Sequence, residues 1–294
     1  MNVLILGATG SVGQTIVQAL ERYEQYSITT GVREEVDWLP EKVEQTEFDL
    51  TDQRSIEDLI REAKPDITFN AAGLVGMEEC DENPTLSNIL NVLAVKLIAQ
   101  SLPSGSRLVQ ISTQAVYEGT QGPYTETDIP SMESPTIYGE HKRLGEEMVK
   151  LTPHNIGVSI VRLTNVYGHP PYQIPKRKSQ PYRMFDEMKA QGYKANPKVL
   201  NNPIFNGDLS AVWLMMVMRN DINVLHVGGK GLKSDFGFAR DISAAVGVDG
   251  RIIESIEHER FRPSLYIDKL IGLQIRPKNI DQGISAFSKQ YVSF

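Results

Sequence analysis

Near its start the chain runs Val3-Leu4-Ile5-Leu6-Gly7-Ala8-Thr9-Gly10-Ser11-Val12-Gly13, and the fold is decided there. Four apolar residues in a row read as a buried strand, too short for a helix. Three glycines at three-residue spacing follow, and Val12 to Arg22 then carries helical periodicity. A glycine triplet between a strand and a helix is the context in which such a turn cradles a dinucleotide. The first glycine permits the tight turn, the second lets the backbone approach a pyrophosphate, and the third lets the helix pack on the sheet. The helix N-terminus adds unpaired N–H groups and a positive dipole end. A βα turn without a ligand is the bland alternative.

Working outward, short apolar runs keep alternating with amphipathic stretches. Strands are expected at Ser27 to Val32, Val43 to Phe48, Ile67 to Phe69, Arg107 to Ile111 and Val158 to Leu163. Helices are expected at Ser55 to Glu62, Asn88 to Ser101 and Ile137 to Lys150. That alternation predicts an α/β fold, a Rossmann-type doubly wound parallel sheet. After Tyr167 the pattern changes. His169-Pro170-Pro171 through Pro181 is too rich in proline for regular structure. Helices at Asp208 to Met218 and Ser234 to Val246 and a strand at Val224 to Val227 follow. Two domains are expected: a dinucleotide-binding domain over 1–165 and a smaller substrate-binding lobe over 166–294, packed over the sheet's carboxyl edge.

Composition excludes several classes. The 294 residues are 40% hydrophobic and 23% charged, with a net charge of -7. That is globular, and the acidic balance argues against a nucleic-acid partner. One cysteine, Cys80, forbids an internal disulfide and fits a reducing compartment. No apolar run approaches the roughly 20 residues of a membrane span. The opening apolar run has no basic segment before it and no cleavage site after it, so a cytoplasmic chain is expected. The scattered histidines predict no metal site.

Gly7-x-x-Gly10-x-x-Gly13, Asp49-Leu50 after the third strand and Asn70-Ala71-Ala72-Gly73 after the fourth together resemble the extended short-chain dehydrogenase/reductase family. The resemblance implies that Gly7, Gly10, Ser11, Val12, Gly13, Asp49, Leu50, Ala71, Ala72 and Gly73 bind the cofactor. At the end of the second strand, where an NAD site places an acidic residue, stands Arg33. A guanidinium there pairs with a 2′-phosphate, or else is a solvated strand-end arginine. The expected cofactor is NADP, with NAD as the alternative.

Two Tyr-x-x-x-Lys pairs occur, Tyr138/Lys142 and Tyr172/Lys176. Pro175 keeps the second off a regular helix face. The first sits at the start of an amphipathic helix, where i, i+4 spacing puts both side chains on one face. A neighbouring ammonium favours phenolate, so Tyr138 is the expected proton donor to a carbonyl. Lys142 is expected to hold the nicotinamide ribose as well. Ser112-Thr113-Gln114-Ala115-Val116-Tyr117 resembles the family's hydroxyl-bearing strand end. Its register makes Thr113 the residue that bonds the substrate oxygen, ahead of Ser112. Gln114 and Ala115 stand where dehydratases of the family carry Asp-Glu, so dehydration is not expected. The GDP-fucose synthase group's loop cysteine is also missing.

Asn91, Leu225-His226-Val227-Gly228-Gly229 and Arg262-Pro263-Ser264-Leu265 resemble the dTDP-4-dehydrorhamnose reductase branch. The implied activity is NADP(H)-dependent reduction of a nucleotide-activated 4-keto-6-deoxy sugar, a step in dTDP-rhamnose and polysaccharide biosynthesis. Arg162-Leu163-Thr164-Asn165-Val166-Tyr167-Gly168 instead resembles the nucleotide-sugar epimerases, whose asparagine holds the substrate diphosphate. Asn165 and Arg262 are therefore the expected substrate-binding residues beside Thr113. Asn165 as a turn cap and Arg162 as a paired strand residue are the plainer readings. The cluster Lys176-Arg177-Lys178 with Arg183 is either a solvated loop or a diphosphate contact. Two other functions stay open: an epimerase of the same family, and a regulatory subunit of the methionine adenosyltransferase type. The partner expected of an enzyme is the small-molecule nucleotide sugar, and a homo-oligomer is compatible with the sequence.

Overall fold

The computed structural model describes residues 1–119, 122–132, 134–151, 155–173, 181–190, 192–248, 253–255 and 263–291. In β1 (Asn2–Leu6), residues Val3 to Leu6 are all buried, and the two-residue period of a strand sends them to opposite faces. Val3 and Ile5 join one apolar cluster with Ile16, Leu20, Trp213 and Met216. Leu4 and Leu6 join another with Ile56, Leu59, Val95 and Val149. A strand covered on both faces has no polar side, which is why its sequence runs apolar without alternation.

Among the described residues, seven strands form one parallel sheet: β1, β2 (Ser27–Val32), β3 (Val43–Glu47), β4 (Ile67–Asn70), β5 (Arg107–Thr113), β6 (Gly157–Leu163) and the later strand Val224–Val227. Their order is Val224–Val227, β6, β5, β4, β1, β2, β3. The order reverses between β1 and β4, so a crevice opens at their carboxyl ends, where sheets of this kind bind ligands. Helices α1 (Ser11–Leu20) and Leu209–Met218 cover one face. There Trp213 Nε1 donates to Thr15 Oγ1 at 2.8 Å. Helix α2 (Gln53–Ala63) helps cover the other face, and the short α3 (Met77–Glu82) follows β4.

Three departures from expectation have physical causes. The helix expected over 88–101 begins earlier and is divided into α4 (Pro84–Asn88), a wide π segment Ile89–Leu93, and α5 (Ala94–Ser101). Asn91, in the wide turn, donates to Leu74 O at 2.9 Å and to Ser87 Oγ at 3.2 Å, contacts that hydrophobic periodicity does not encode. Secondly, the sheet does not end at 165. Leu209–Met218 and Val224–Val227, both expected in the second lobe, return to the sheet and its core. Thirdly, the helices Tyr182–Ala190 and Ile280–Tyr291 were not expected. With Asp235–Ala245 they build a separate aromatic core from Phe185, Met188, Phe238, Ile242, Ile284 and Phe287. No helix among the described residues is long and apolar enough to cross a membrane.

Candidate active site

The glycine turn lies at the reversal point. Gly7 has φ +82°, and a Cβ there would stand 2.7 Å from Ala72 N and 2.8 Å from Ala71 O. Only glycine fits, because the turn touches the backbone after β4. Ala71 N in turn donates to Leu6 O at 3.0 Å. A Cβ on Gly13 would lie 2.0 Å from Gly7 O, so the first turn of α1 is pressed onto the glycine turn. Gly10 caps α1 with no side-chain hydrogen bond, and the first turn carries no acidic residue. The N–H groups of Ser11, Val12 and Gly13 open a helix with nothing negative to compete for them, which fits a pyrophosphate. Gly73, with φ +149°, leaves room for Asn91 Oδ1, which a Cβ would approach to 2.4 Å.

Arg33 and Asp49 follow the ends of the adjacent strands β2 and β3, and both are exposed. Asp49 Oδ1 accepts from Thr51 N and Thr51 Oγ1, each at 2.8 Å. Those bonds, with a smaller contribution from the Arg33 charge, hold its carboxyl below the usual carboxylate range. The Arg33 guanidinium thus stands close enough to the Asp49 carboxylate for its charge to be felt there. Leu50 packs against the apolar cluster under the sheet.

Thr113 ends β5, and Tyr138 and Lys142 lie on the helix that meets it, α6 (Ile137–Lys150). The Thr136 hydroxyl caps α6 by accepting from Gly139 N at 3.1 Å. Two attachments dock the helix on either side of Tyr138. Lys142 Nζ donates to Ile111 O at 2.7 Å. Gly139 lies against the turn after Thr113, so closely that a Cβ would stand 2.1 Å from Ala115 O. Thr113 Oγ1 accepts from Ala115 N at 3.2 Å and shapes that turn. The two attachments set the turn of α6 that carries Tyr138 and Lys142 against the end of β5, where Thr113 stands. Burial lowers the Lys142 ammonium to about 8, against an opposing pull from Glu146.

Ser112, the other hydroxyl at this strand end, points the opposite way. Its Oγ donates to Glu146 Oε1 at 2.5 Å in the interior. Glu146 also takes Arg162 Nε at 3.0 Å and Nη2 at 2.6 Å. Arg162 Nη1 donates to Tyr117 OH at 2.6 Å, and His226 Nε2 lies 3.0 Å from the same hydroxyl. Burial, reinforced by the Arg162 charge, lowers His226 to about 4. Arg162 is therefore a buried ion-pair residue. Asn165, partly buried, follows β6, and its carbonyl accepts from Ile204 N at 2.9 Å. Tyr172 lies over α1, while Lys176, Arg177, Lys178 and Arg262 fall outside the described residues. No group of three metal-ligating side chains occurs among the described residues.

Sequence reasoning passed over Glu146 and Gln14. Glu146 stands four residues after Lys142, a spacing on the same helix face that was available to notice. Gln14 bonds only to backbone atoms, so no partner residue type marks it.

The family model of the RmlD substrate binding domain matches residues 1–265. The spore coat polysaccharide biosynthesis protein SpsK of Bacillus subtilis is 26% identical over 262 residues, 87% of this chain and 83% of its own. Methionine adenosyltransferase 2 subunit beta of Rattus norvegicus is 30% identical over 196 residues, 66% of this chain and 54% of its own. Thus the match spans only about half of that subunit. The dTDP-4-dehydrorhamnose reductase of Bacillus anthracis, solved in complex with NADP, superposes with a TM-score of 0.78 at 21% identity, covering 98% of each chain. The chain belongs to the RmlD substrate binding domain family of the extended short-chain dehydrogenase/reductases.

Proposed function

We propose that the protein is an NADP(H)-dependent oxidoreductase that reduces the ketone of a nucleotide-activated 4-keto-6-deoxy sugar. The observation that carries this reading is the docking of α6 on β5, with Lys142 held by Ile111 O and Gly139 against Ala115. The dTDP-4-dehydrorhamnose reductase match supports the substrate class. Gly7, Gly10, Ser11, Val12, Gly13, Asp49, Leu50, Ala71, Ala72 and Gly73 would hold the dinucleotide, with Arg33 on a 2′-phosphate. When bound, the reduced nicotinamide supplies a hydride to the carbonyl carbon. Tyr138 gives its hydroxyl proton to the carbonyl oxygen, so a ketone becomes an alcohol. The Lys142 ammonium stabilises the resulting tyrosinate and reaches the nicotinamide ribose. The Thr113 hydroxyl donates to the same substrate oxygen as negative charge builds there. Asn165, where β6 ends, is assigned to the substrate diphosphate.

The test is NADPH oxidation with a panel of nucleotide 4-keto-6-deoxy sugars. Turnover with at least one, lost in Tyr138→Phe, supports the reading; no turnover with any defeats it. The likeness to the methionine adenosyltransferase subunit favours a second reading, a regulatory partner. In that case the chain would turn over none of the panel and would change the activity of an added synthetase catalytic subunit.

A further inference from the structure

The amide side chain of Gln14 has a use that the reading above does not absorb. It is the fourth residue of α1 and fully buried. Its Nε2 donates to Thr9 O at 3.2 Å and to Gln173 O at 2.7 Å. Its Oε1 accepts from Tyr172 N at 3.0 Å and Gln173 N at 3.1 Å. A carboxamide offers two donors and two acceptor lone pairs, and here all four are engaged, each by backbone. Thr9 lies inside the glycine turn, and Tyr172 and Gln173 lie in the segment that leaves Asn165. That segment is fixed elsewhere by the pairing of Val166–Tyr167 with Ile204–Phe205 and by Asn206 Nδ2 donating to His169 O at 2.7 Å. Gln14 is therefore a direct bridge from the dinucleotide turn to the far end of the segment that begins at the proposed diphosphate residue.

We propose that Gln14 is a positioning residue that couples the two sites: cofactor at the turn orders residues 166–173 through its carboxamide. The inference rests on the dinucleotide reading of the turn. Phosphates held by the α1 amides restrain Thr9 and Gly10. The Thr9 carbonyl then restrains Gln14, and Gln14 restrains the Tyr172 and Gln173 backbone. Coupling of this kind is reciprocal, so an occupied sugar-nucleotide site would also tighten the cofactor. No other side chain of similar size serves. Glutamate keeps both acceptors but faces the Thr9 and Gln173 carbonyls with negative charge, and methionine fills the volume and offers no comparable bond.

The experiment is hydrogen–deuterium exchange of the full chain with and without saturating NADPH, in wild type, Gln14→Met and Gln14→Glu. In wild type, NADPH should slow exchange both in residues 7–14 and in residues 166–173. In both variants the slowing at 7–14 should remain, while that at 166–173 should shrink by about fivefold or more, the lower end of ordinary coupling factors. If neither variant folds, Gln14→Asn, which stays neutral and holds its carboxamide one methylene short of the Gln173 backbone, gives the result. NADPH-dependent slowing at 166–173 that survives in the variants would overturn the bridge and reduce Gln14 to a folding role. So would wild-type slowing confined to 7–14. No slowing anywhere in wild type would defeat the dinucleotide reading itself, and the coupling with it.

Discussion

Tyr138 and Lys142 sit one helical turn apart, and in the proposed reaction the lysine's ionisation sets the working pH range. Burial holds Lys142 at about 8 rather than in the ordinary lysine range. The ammonium is present below that value and lost as the pH rises through it. For the free enzyme, kcat/KM for ketone reduction should therefore fall above about pH 8, read from the pH–rate profile. Tyr138→Phe removes only the acid and should lower kcat by roughly 10²–10⁴-fold while NADPH binding is kept. Thr113→Val removes one hydrogen bond and should be milder. Arg33→Ala should weaken NADPH and spare NADH, because a guanidinium pairs with a 2′-phosphate that only one cofactor carries. Calorimetric titration of both cofactors checks this, and equal losses would remove the assignment.

At the scale of elements, the junction of α6 with β5 depends on a missing side chain. Gly139 sits where a Cβ would meet the carbonyl of Ala115, a backbone atom that cannot swing aside. Gly139→Ala should push the first turn of α6 off the Thr113 turn, destabilising the protein by about 1–3 kcal/mol, as overpacking does. It should also depress kcat through misplacement of Tyr138. Gly272→Ala is the control, since nothing lies within 4 Å of a Cβ there. Thermal melts and kcat measured together separate the two variants. This junction was half legible in the sequence. The Tyr138/Lys142 spacing and the hydroxyls at the end of β5 announced which elements meet, because helix period and strand end are local properties. The hydrogen bond from Lys142 to Ile111 O was not legible, because its acceptor is backbone. The π segment around Asn91 was hidden for the same reason: Leu74 O bears no residue signature.

Across the whole molecule, the β1-to-β6 half was readable because each strand is short, apolar and bounded by turn residues. The return of Leu209–Met218 and Val224–Val227 to the sheet was not, since sequence order places them among the lobe's elements and only long-range pairing with β6 reassigns them. What joins the late strand to the early ones is polar as well as apolar. Ser112 on β5, Glu146 on α6, Arg162 on β6, Tyr117 beyond β5 and His226 on Val224–Val227 form one buried chain of hydrogen bonds. Such a pair repays desolvation only when both charges are present and fully bonded. Glu146→Gln leaves the Arg162 guanidinium in the interior without its counter-charge, and should cost about 3–5 kcal/mol. Replacing both partners, Glu146→Met with Arg162→Met, removes the stranded charge and should recover part of that loss. The remaining deficit comes mainly from the Ser112 hydroxyl, a buried group left without its partner at about 1–3 kcal/mol, because Tyr117 OH keeps Thr125 O at 3.1 Å and His226 Nε2 at 3.0 Å. Urea unfolding of the two variants decides it. A double variant no more stable than Glu146→Gln would mean that packing around Arg162, rather than the unpaired charge, sets the cost.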